Sequence, residues 1–214
     1  MAIATNELVF LHIPKTGGMW VSCVMKQSFQ TSMISHQHSH FPELLGLYDE
    51  EWYKRRFIFT MIRHPITWYQ SRWAFRVKHG WRINHPLDFA CATNDFHSFV
   101  EAAIDFKPNG WLTWEYGQYI DNVPGGIDYV AKLENGVSEI KHVLDIAGVK
   151  YDPKVIESVP RVNDSDMGGH SSKYWAKYTP KLFDRVMAVE DRIISKYYSD
   201  YEINPNDHIG PRPW

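Results

Sequence analysis

The chain has 214 residues, which is enough for one full-sized domain with a buried core. Hydrophobic residues make up 44% of it and charged residues 22%, values that are typical of globular proteins and exclude a disordered chain. The net charge of −2 creates no general field that would attract nucleic acid, so we expect no nucleic-acid partner and predict that any anion site is local. We predict a single domain over residues 1–214.

Apolar runs and helical periodicity alternate along the chain. Residues 7–13, 55–62 and 126–135 are short apolar runs that predict buried strands. Amphipathic periodicity predicts five helices, beginning at Gly17, near Pro65, near Asn94 or Asp95, at Val137 and at Thr179. Gly148 closes the fourth helix, and the last, opened by Thr179 and Pro180, is predicted to run to Tyr198. This order predicts an α/β fold with a parallel sheet flanked by helices on both faces.

Cysteine usage and hydropathy favour a cytoplasmic protein. Cys23 and Cys91 have no paired spacing, so a disulfide scaffold is not expected and a reducing compartment fits better. The sequence has no apolar stretch of about 18 residues and does not open with a charged segment followed by an apolar run. We therefore expect a soluble, cytoplasmic protein without a membrane partner, or one trimmed of its anchor.

The segment between the first strand and the first helix has the composition of an anion-binding loop. Residues 14–18 read Pro-Lys-Thr-Gly-Gly, directly before a predicted helix N-terminus with unpaired N–H groups and partial positive charge. Gly17 and Gly18 would let the backbone approach an anion closely. Lys15 adds a full charge, and Thr16 adds a hydroxyl donor. The alternative is an ordinary strand-to-helix turn with a solvated lysine.

The residue order differs from that of the nucleotide triphosphate loop. In that loop the lysine follows the glycines, whereas Lys15 precedes them. Arg63 ends the strand over residues 55–62, at the place where an aspartate would hold Mg²⁺. The sequence therefore favours a nucleotide anion bound without metal. A P-loop-type kinase of a small molecule is the alternative, and its characteristic lysine order and metal carboxylate are missing.

Two segments resemble the donor-binding motifs of the sulfotransferases, in particular the carbohydrate sulfotransferases. "HIPKTGG", residues 12–18, resembles the 5′-phosphosulfate loop of that family, and "RHPITWYQS", residues 63–71, has the arginine, proline and serine of its second motif at the family's spacing. The resemblance implies a P-loop-like sulfotransferase fold and the donor 3′-phosphoadenosine 5′-phosphosulfate (PAPS), with PAP as product and no metal. It implies that Arg63 and Ser71 hold the 3′-phosphate.

The remaining donor contacts follow from the same resemblance. Around the 5′ end we expect residues of the loop and of the helix start: His12, Lys15, Thr16, Gly17, Gly18, Met19 and Trp20. For His12, packing in the strand is the alternative. "YVAKLEN" and "RVNDS" resemble two later family segments, and the second predicts donor contacts from Asn163, Ser165 and Lys173, for which a plain surface position is the alternative.

Three residues depart from the family pattern. Met19 and Trp20 stand where a hydroxyl residue usually follows the glycines, so backbone N–H groups would carry more of the phosphate contact. Trp68 stands where many members have a second arginine, and Arg72 is a possible substitute.

Transfer of a sulfuryl group to a hydroxyl needs a general base and charge stabilisation on the leaving phosphate. Lys15 is the candidate for the second task. Histidine, with a pKa near neutrality, suits the first, and His40 is our first choice with His38 second. With His36 these residues could instead chelate a metal or be solvated, and Glu43 is another candidate base. If the base is absent, the protein is a non-catalytic module that binds a nucleotide.

The acceptor is not encoded in a readable pattern. The family resemblance favours a small molecule or glycan with a hydroxyl or amine. Trp111, Trp114 and Tyr116 could form a platform for a sugar, or they could pack in the core.

Overall fold

The computed structural model describes residues 2–34, 47–123, 125–160 and 176–210. The chain divides into two compact units. The first unit comprises Met1–Arg63 and Tyr116–Asn163, and the second comprises His64–Glu115 and Asp164–Trp214. Each unit is thus assembled from two separate stretches of sequence, and one domain over the whole chain stays a prediction.

The first unit contains a five-stranded sheet. Its strands are β1 (Ile3–Ala4), β2 (Leu8–Leu11), β3 (Ser32–Met33), β4 (Phe57–Ile62) and β5 (Tyr129–Lys132), in the order β3-β1-β2-β4-β5. Strand β4 is parallel to both β2 and β5, whereas β1 is antiparallel to β2 and β3. The predicted α/β class is confirmed, but the sheet is mixed rather than wholly parallel, because the two-residue strands β1 and β3 are too short to leave a periodic pattern.

Ten helices occur within the described ranges. They are α1 (Gly18–Ser28), α2 (Glu50–Lys54), α3 (Pro65–His79), α4 (Pro86–Cys91), α5 (Phe96–Phe106), α6 (Trp111–Ile120), α7 (Gly136–Ile146), α8 (Pro153–Ser158), α9 (Pro180–Val189) and α10 (Asp191–Tyr197). Within those ranges, none of these helices has both the length and the apolar composition required to cross a bilayer.

The core of the first unit lies between the sheet and the apolar faces of its helices. All four residues of β2 are fully buried, and the rings of Phe10 and Phe59 on the paired strands have centroids 5.1 Å apart. Helix α1 contributes Trp20, Val21 and Val24 to the same cluster. Because β2 is buried on both faces, its sequence is continuously apolar rather than alternating.

Local capping sets the helix starts of the second unit. Asp95 accepts a hydrogen bond from the N–H of Ser98 at 2.8 Å before α5, and Thr179 accepts one from the N–H of Leu182 at 3.3 Å before α9. Both caps agree with the predicted starts near Asp95 and at Thr179, since a short oxygen-bearing side chain satisfies an N–H group that the helix leaves unpaired.

The last predicted helix is two helices. The helix is interrupted at Glu190, between α9 and α10, where φ is −98° and ψ is 11°. Glu190 is fully buried and its carboxylate accepts hydrogen bonds from the Tyr69 hydroxyl, from the N–H groups of Leu112 and Thr113 and from the Thr113 hydroxyl. The apolar stripe of the predicted helix continues through this interruption, so the sequence pattern did not indicate it. We attribute the interruption to the distant hydrogen-bond partners of Glu190.

Candidate functional site

The loop between β2 and α1 passes twice through left-handed backbone. Lys15 has a φ of 66° and Gly17 a φ of 83°. Glycine adopts this conformation freely, whereas any other L-residue pays roughly 1–2 kcal/mol for it. Since non-glycine residues held in this region cluster at functional sites, the backbone at Lys15 supports the choice of this loop as the candidate site.

Neither glycine of the loop has room for a side chain. A Cβ atom on Gly17 would lie 2.5 Å from Cδ1 of Leu133, and one on Gly18 would lie 2.0 Å from Cδ2 of His12. Both distances are far inside van der Waals contact. Gly18 is therefore required by packing against His12, and Gly17 is favoured by its left-handed backbone, in addition to any approach of an anion.

His12 packs against the start of α1. It is 3% exposed, and its ring lies against that of Phe10 with centroids 6.0 Å apart. The close approach to Gly18 brings the imidazole to the first residue of the helix. Packing in the strand is thus observed, while contact with a phosphate stays a prediction.

The side chains of Thr16 and Trp20 have partners inside the protein. The buried Thr16 hydroxyl donates to the carbonyl of Ile13 at 2.9 Å, and the Trp20 indole N–H donates to the carbonyl of Val159 at 3.2 Å. The backbone N–H of Trp20 bonds to the carbonyl of Gly17 at 2.9 Å. These donors hold the loop and the helix rather than pointing to an anion, in contrast to our expectation for the Thr16 hydroxyl. Met19 is half-buried in the first turn of α1.

Arg63 follows β4 directly, and its main chain is held by one phenol. The backbone N–H of Arg63 donates to the hydroxyl of Tyr116 at 2.9 Å, and that hydroxyl donates to the carbonyl of Arg63 at 2.8 Å. Tyr116 is fully buried and Arg63 is half-buried. A rigid ring thus fixes the peptide groups on both sides of the Arg63 Cα atom.

The Lys15 loop and Arg63 lie at the same edge of the sheet. Strands β2 and β4 are paired in parallel, with Leu11 opposite Thr60, and both segments follow the carboxyl ends of these strands. In open α/β sheets, ligands bind outside the carboxyl ends of the strands. Two cationic side chains therefore follow neighbouring strands where an anionic ligand is expected.

A buried carboxylate holds the third segment at this edge. After β5 the chain makes a short 3₁₀ turn, Leu133–Asn135, whose Leu133 side chain occupies the space that a Cβ atom on Gly17 would need. Glu139 accepts hydrogen bonds from the N–H of Lys132 at 2.9 Å, from the Asn135 amide at 2.7 Å and from the Tyr129 hydroxyl at 3.1 Å. No pattern in the sequence indicated this role, because an acidic residue in a first helical turn is common.

The second motif residue, Ser71, belongs to the second unit. It lies in α3 and is 5% exposed. Its neighbour Arg72 is not available as a replacement for the missing arginine at Trp68, because its guanidinium donates to Asp88 at 2.6 Å inside a buried cluster. The role of Ser71 on a 3′-phosphate stays a prediction.

Five predicted site residues lie outside the described residues. These are the two candidate bases and the three contacts of the later donor loop: His38, His40, Asn163, Ser165 and Lys173. The alternatives His36 and Glu43 also lie there.

Two histidines with lowered pKa values have structural surroundings in the second unit and lie outside the candidate loop. Burial, with a contribution from His208, lowers the pKa of His64 to about 4, and its Nδ1 accepts from the N–H of Ile66 as the cap of α3. Burial likewise lowers the pKa of His85 to about 4, with Arg72 adding to the shift. Both rings are therefore neutral at physiological pH.

Sequence reasoning missed the charged cluster of the second unit. Asp88 is fully buried. Its carboxylate forms ion pairs with Arg72 and Arg76, each at 2.6 Å, and accepts a hydrogen bond from the backbone N–H of Arg82 at 3.1 Å. Nearby, burial raises the pKa of Glu115 to about 7, against a smaller opposing effect of Arg72. A spacing of four between Arg72 and Arg76 placed both on one face of a helix, which was the only signal available.

The three aromatic residues considered for a sugar platform differ in exposure. Trp111 and Tyr116 are 2% and 0% exposed, so they pack in the protein. Trp114 is 38% exposed, with its ring 4.9 Å from that of Trp111 and the Lys107 ammonium 4.5 Å from its own centroid.

Within the described ranges, no three His, Cys, Asp or Glu side chains come together in a group that could hold a metal ion. Comparison of the chain with protein-family models, with curated proteins and with solved structures gave no match.

Proposed function

We propose that the protein is a sulfotransferase that moves a sulfuryl group from PAPS to a hydroxyl or amine, with a carbohydrate as the favoured acceptor. The observation that carries this proposal is the position of the Lys15 loop and Arg63 after neighbouring parallel strands, at one edge of the sheet. Two cationic side chains at one edge suit a nucleotide that carries an anionic group at both the 3′ and the 5′ position of its ribose. On this proposal β2, β4 and β5 form the centre of a P-loop-like sulfotransferase fold.

The loop fits the 5′ end of such a donor. The side chains of Thr16 and Trp20 are engaged elsewhere, so an anion would be bound by the charge of Lys15 and by backbone N–H groups of the Gly17–Gly18 turn. Arg63 fits the 3′-phosphate, because a guanidinium fork donates two parallel hydrogen bonds to phosphate oxygens. The donor supplies the activated sulfuryl group.

The transfer needs charge stabilisation at the leaving group. An acceptor oxygen bonds to sulfur while the bond from sulfur to the 5′-phosphate oxygen breaks, and the acceptor proton passes to a base. Negative charge grows on the 5′-phosphate, where Lys15 and the backbone donors stabilise it. The transferred group carries a single negative charge, so no metal is required to neutralise it.

His40 is the proposed base and His38 the second candidate. Replacing the base removes proton abstraction but no donor contact, so His40→Ala should lower the turnover of sulfate transfer from PAPS to glycans about 100-fold or more, with PAP affinity unchanged. His38→Ala tests the second candidate in the same assay. If neither variant lowers turnover while PAP still binds, the assignment of the base is wrong.

A binding comparison tests the proposed function against a kinase. In EDTA, PAP at 100 times its Kd should stabilise the protein by about 2.7 kcal/mol and raise its melting temperature. ATP with Mg²⁺ should give a smaller shift, since Arg63 stands where a kinase places a metal-holding carboxylate. Stabilisation by ATP with Mg²⁺ and none by PAP would contradict the proposal and favour a kinase.

A further inference from the structure

The hydroxyl of Tyr116 forms two hydrogen bonds to the same residue. It accepts from the N–H of Arg63 at 2.9 Å and donates to the carbonyl of Arg63 at 2.8 Å. A phenol has one proton to donate, and that proton is used here. The ring is fully buried within α6, and 53 residues separate the two partners. The contact is therefore a specific tertiary tether.

This tether lies immediately after the last residue pair that strand β4 forms in the sheet. The last pair between β4 and β5 is Ile62 with Lys132, and Arg63 lies one residue beyond it. The main-chain polar groups of Arg63 are bonded by the Tyr116 hydroxyl in place of a strand partner. The two adjoining peptide planes fix the direction of the Cα–Cβ bond. The phenol therefore determines the direction in which the Arg63 side chain leaves the backbone.

We infer that Tyr116 is a positioning residue that directs Arg63 and so gives the site its preference for a nucleotide bearing a 3′-phosphate. The inference rests on the proposed function, because it takes the ligand to be PAP or PAPS. On this inference Tyr116 acts on the nucleotide through Arg63 and not by direct contact. It should therefore affect the 3′ end of the ligand and leave the 5′ end at the Lys15 loop unaffected.

The test compares two ligands that differ only in the 3′-phosphate. The affinities of PAP and of 5′-AMP are measured by titration calorimetry in EDTA for the wild type and for Tyr116→Phe. A guanidinium–phosphate hydrogen bond is worth roughly a factor of ten in affinity. The variant should bind PAP about tenfold more weakly and 5′-AMP as well as the wild type does, so the ratio of the two affinities falls.

Tyr129→Phe is the matched control. It also removes one phenol hydroxyl from the first unit, one that donates to Glu139 at 3.1 Å. Its ratio of PAP to 5′-AMP affinity should equal that of the wild type. In an Arg63→Ala background, Tyr116→Phe should have no further effect on the ratio. A general loss of stability would instead weaken the binding of both ligands alike and leave the ratio unchanged in both backgrounds.

A second measurement needs no variant at Tyr116. The amide proton of Arg63 is bonded to the phenol, so its NMR resonance should shift on saturation with PAP and much less with 5′-AMP. A wild type that does not prefer PAP to 5′-AMP overturns the proposed function itself. A wild type that prefers PAP, together with an unchanged ratio in Tyr116→Phe or equal amide shifts with both ligands, overturns the positioning role alone.

Discussion

Single atoms decide the geometry of the candidate loop. The imidazole of His12 occupies the space that a methyl group on Gly18 would need, with 2.0 Å between the two carbon positions. The loop therefore depends on the absence of a side chain, and not only on the presence of Lys15. A family motif written as letters contains the glycine but not the reason for it.

Gly18→Ala should destabilise the protein by about 1–3 kcal/mol, because the new methyl group forces His12 or the start of α1 to move. Gly117→Ala is the control, since a Cβ there meets only the flexible carboxylate of Asp121 at 3.1 Å and alanine favours the helix. Urea denaturation of the three proteins measures the effect. Equal midpoints for Gly18→Ala and the wild type would show that the close approach to His12 is not real.

The buried carboxyl of Glu115 makes stability depend on pH. Burial raises the pKa of Glu115 from 4.5 to about 7, so the folded state binds a proton that the unfolded state releases. This contribution to stability is present below pH 4.5 and is lost as the pH rises towards 7, a change of about 3 kcal/mol. Glu115→Gln cannot ionise, so its advantage over the wild type should grow between pH 5 and pH 8.

The measurement is the free energy of unfolding of both proteins across that range. Their difference isolates Glu115 from other titrating groups. Among those are His64 and His85, whose lowered pKa values act with the opposite sign, because they weaken the folded state as the pH falls. Parallel pH profiles for the two proteins would show that Glu115 is not desolvated.

At the scale of elements, Glu190 links the break between α9 and α10 to α3 and to the first turn of α6. It interrupts the chain between α9 and α10, and its carboxylate satisfies two N–H groups in the first turn of α6 and the Tyr69 hydroxyl of α3. Such a cap from a distant residue replaces the local cap that most helices use.

Glu190→Ala should cost at least about 3 kcal/mol of unfolding free energy, because it leaves several buried donors without acceptors. Glu101→Ala in the same unit is the control. That carboxylate is more than half exposed and lies 3.9 Å from Arg185, so its loss should cost less than about 1 kcal/mol. Similar losses in the two variants, measured by denaturant titration, would contradict the role of Glu190.

The elements that the sequence predicted well carry their signal locally. Strand β2 is a run of apolar residues. Helix α9 has a threonine as its N-cap and a proline as its first residue, and both are favoured at these positions by their own chemistry. The break at Glu190 and the Tyr116 tether depend on hydrogen-bond partners 53 to 121 residues away in the sequence. Periodicity and spacing contain no information on such contacts.

For the whole molecule, the near-neutral charge means that any anion site is a local property. The net charge is −2, yet Lys15 and Arg63 follow adjacent strands at one edge of the sheet. The sequence could predict these two residues and the parallel order of their strands. It could not predict that Thr16 and Trp20 would direct their side chains into the protein, because both are compatible with either environment.

The central claim is that one nucleotide is bound by Lys15 at its 5′ end and by Arg63 at its 3′ end. The most direct test is calorimetric titration of PAP and 5′-AMP, without metal, into the wild type, Lys15→Ala and Arg63→Ala. We predict that Lys15→Ala weakens both ligands, whereas Arg63→Ala weakens PAP about tenfold or more and leaves 5′-AMP unchanged. If both variants bound PAP as tightly as the wild type, the claim would be wrong.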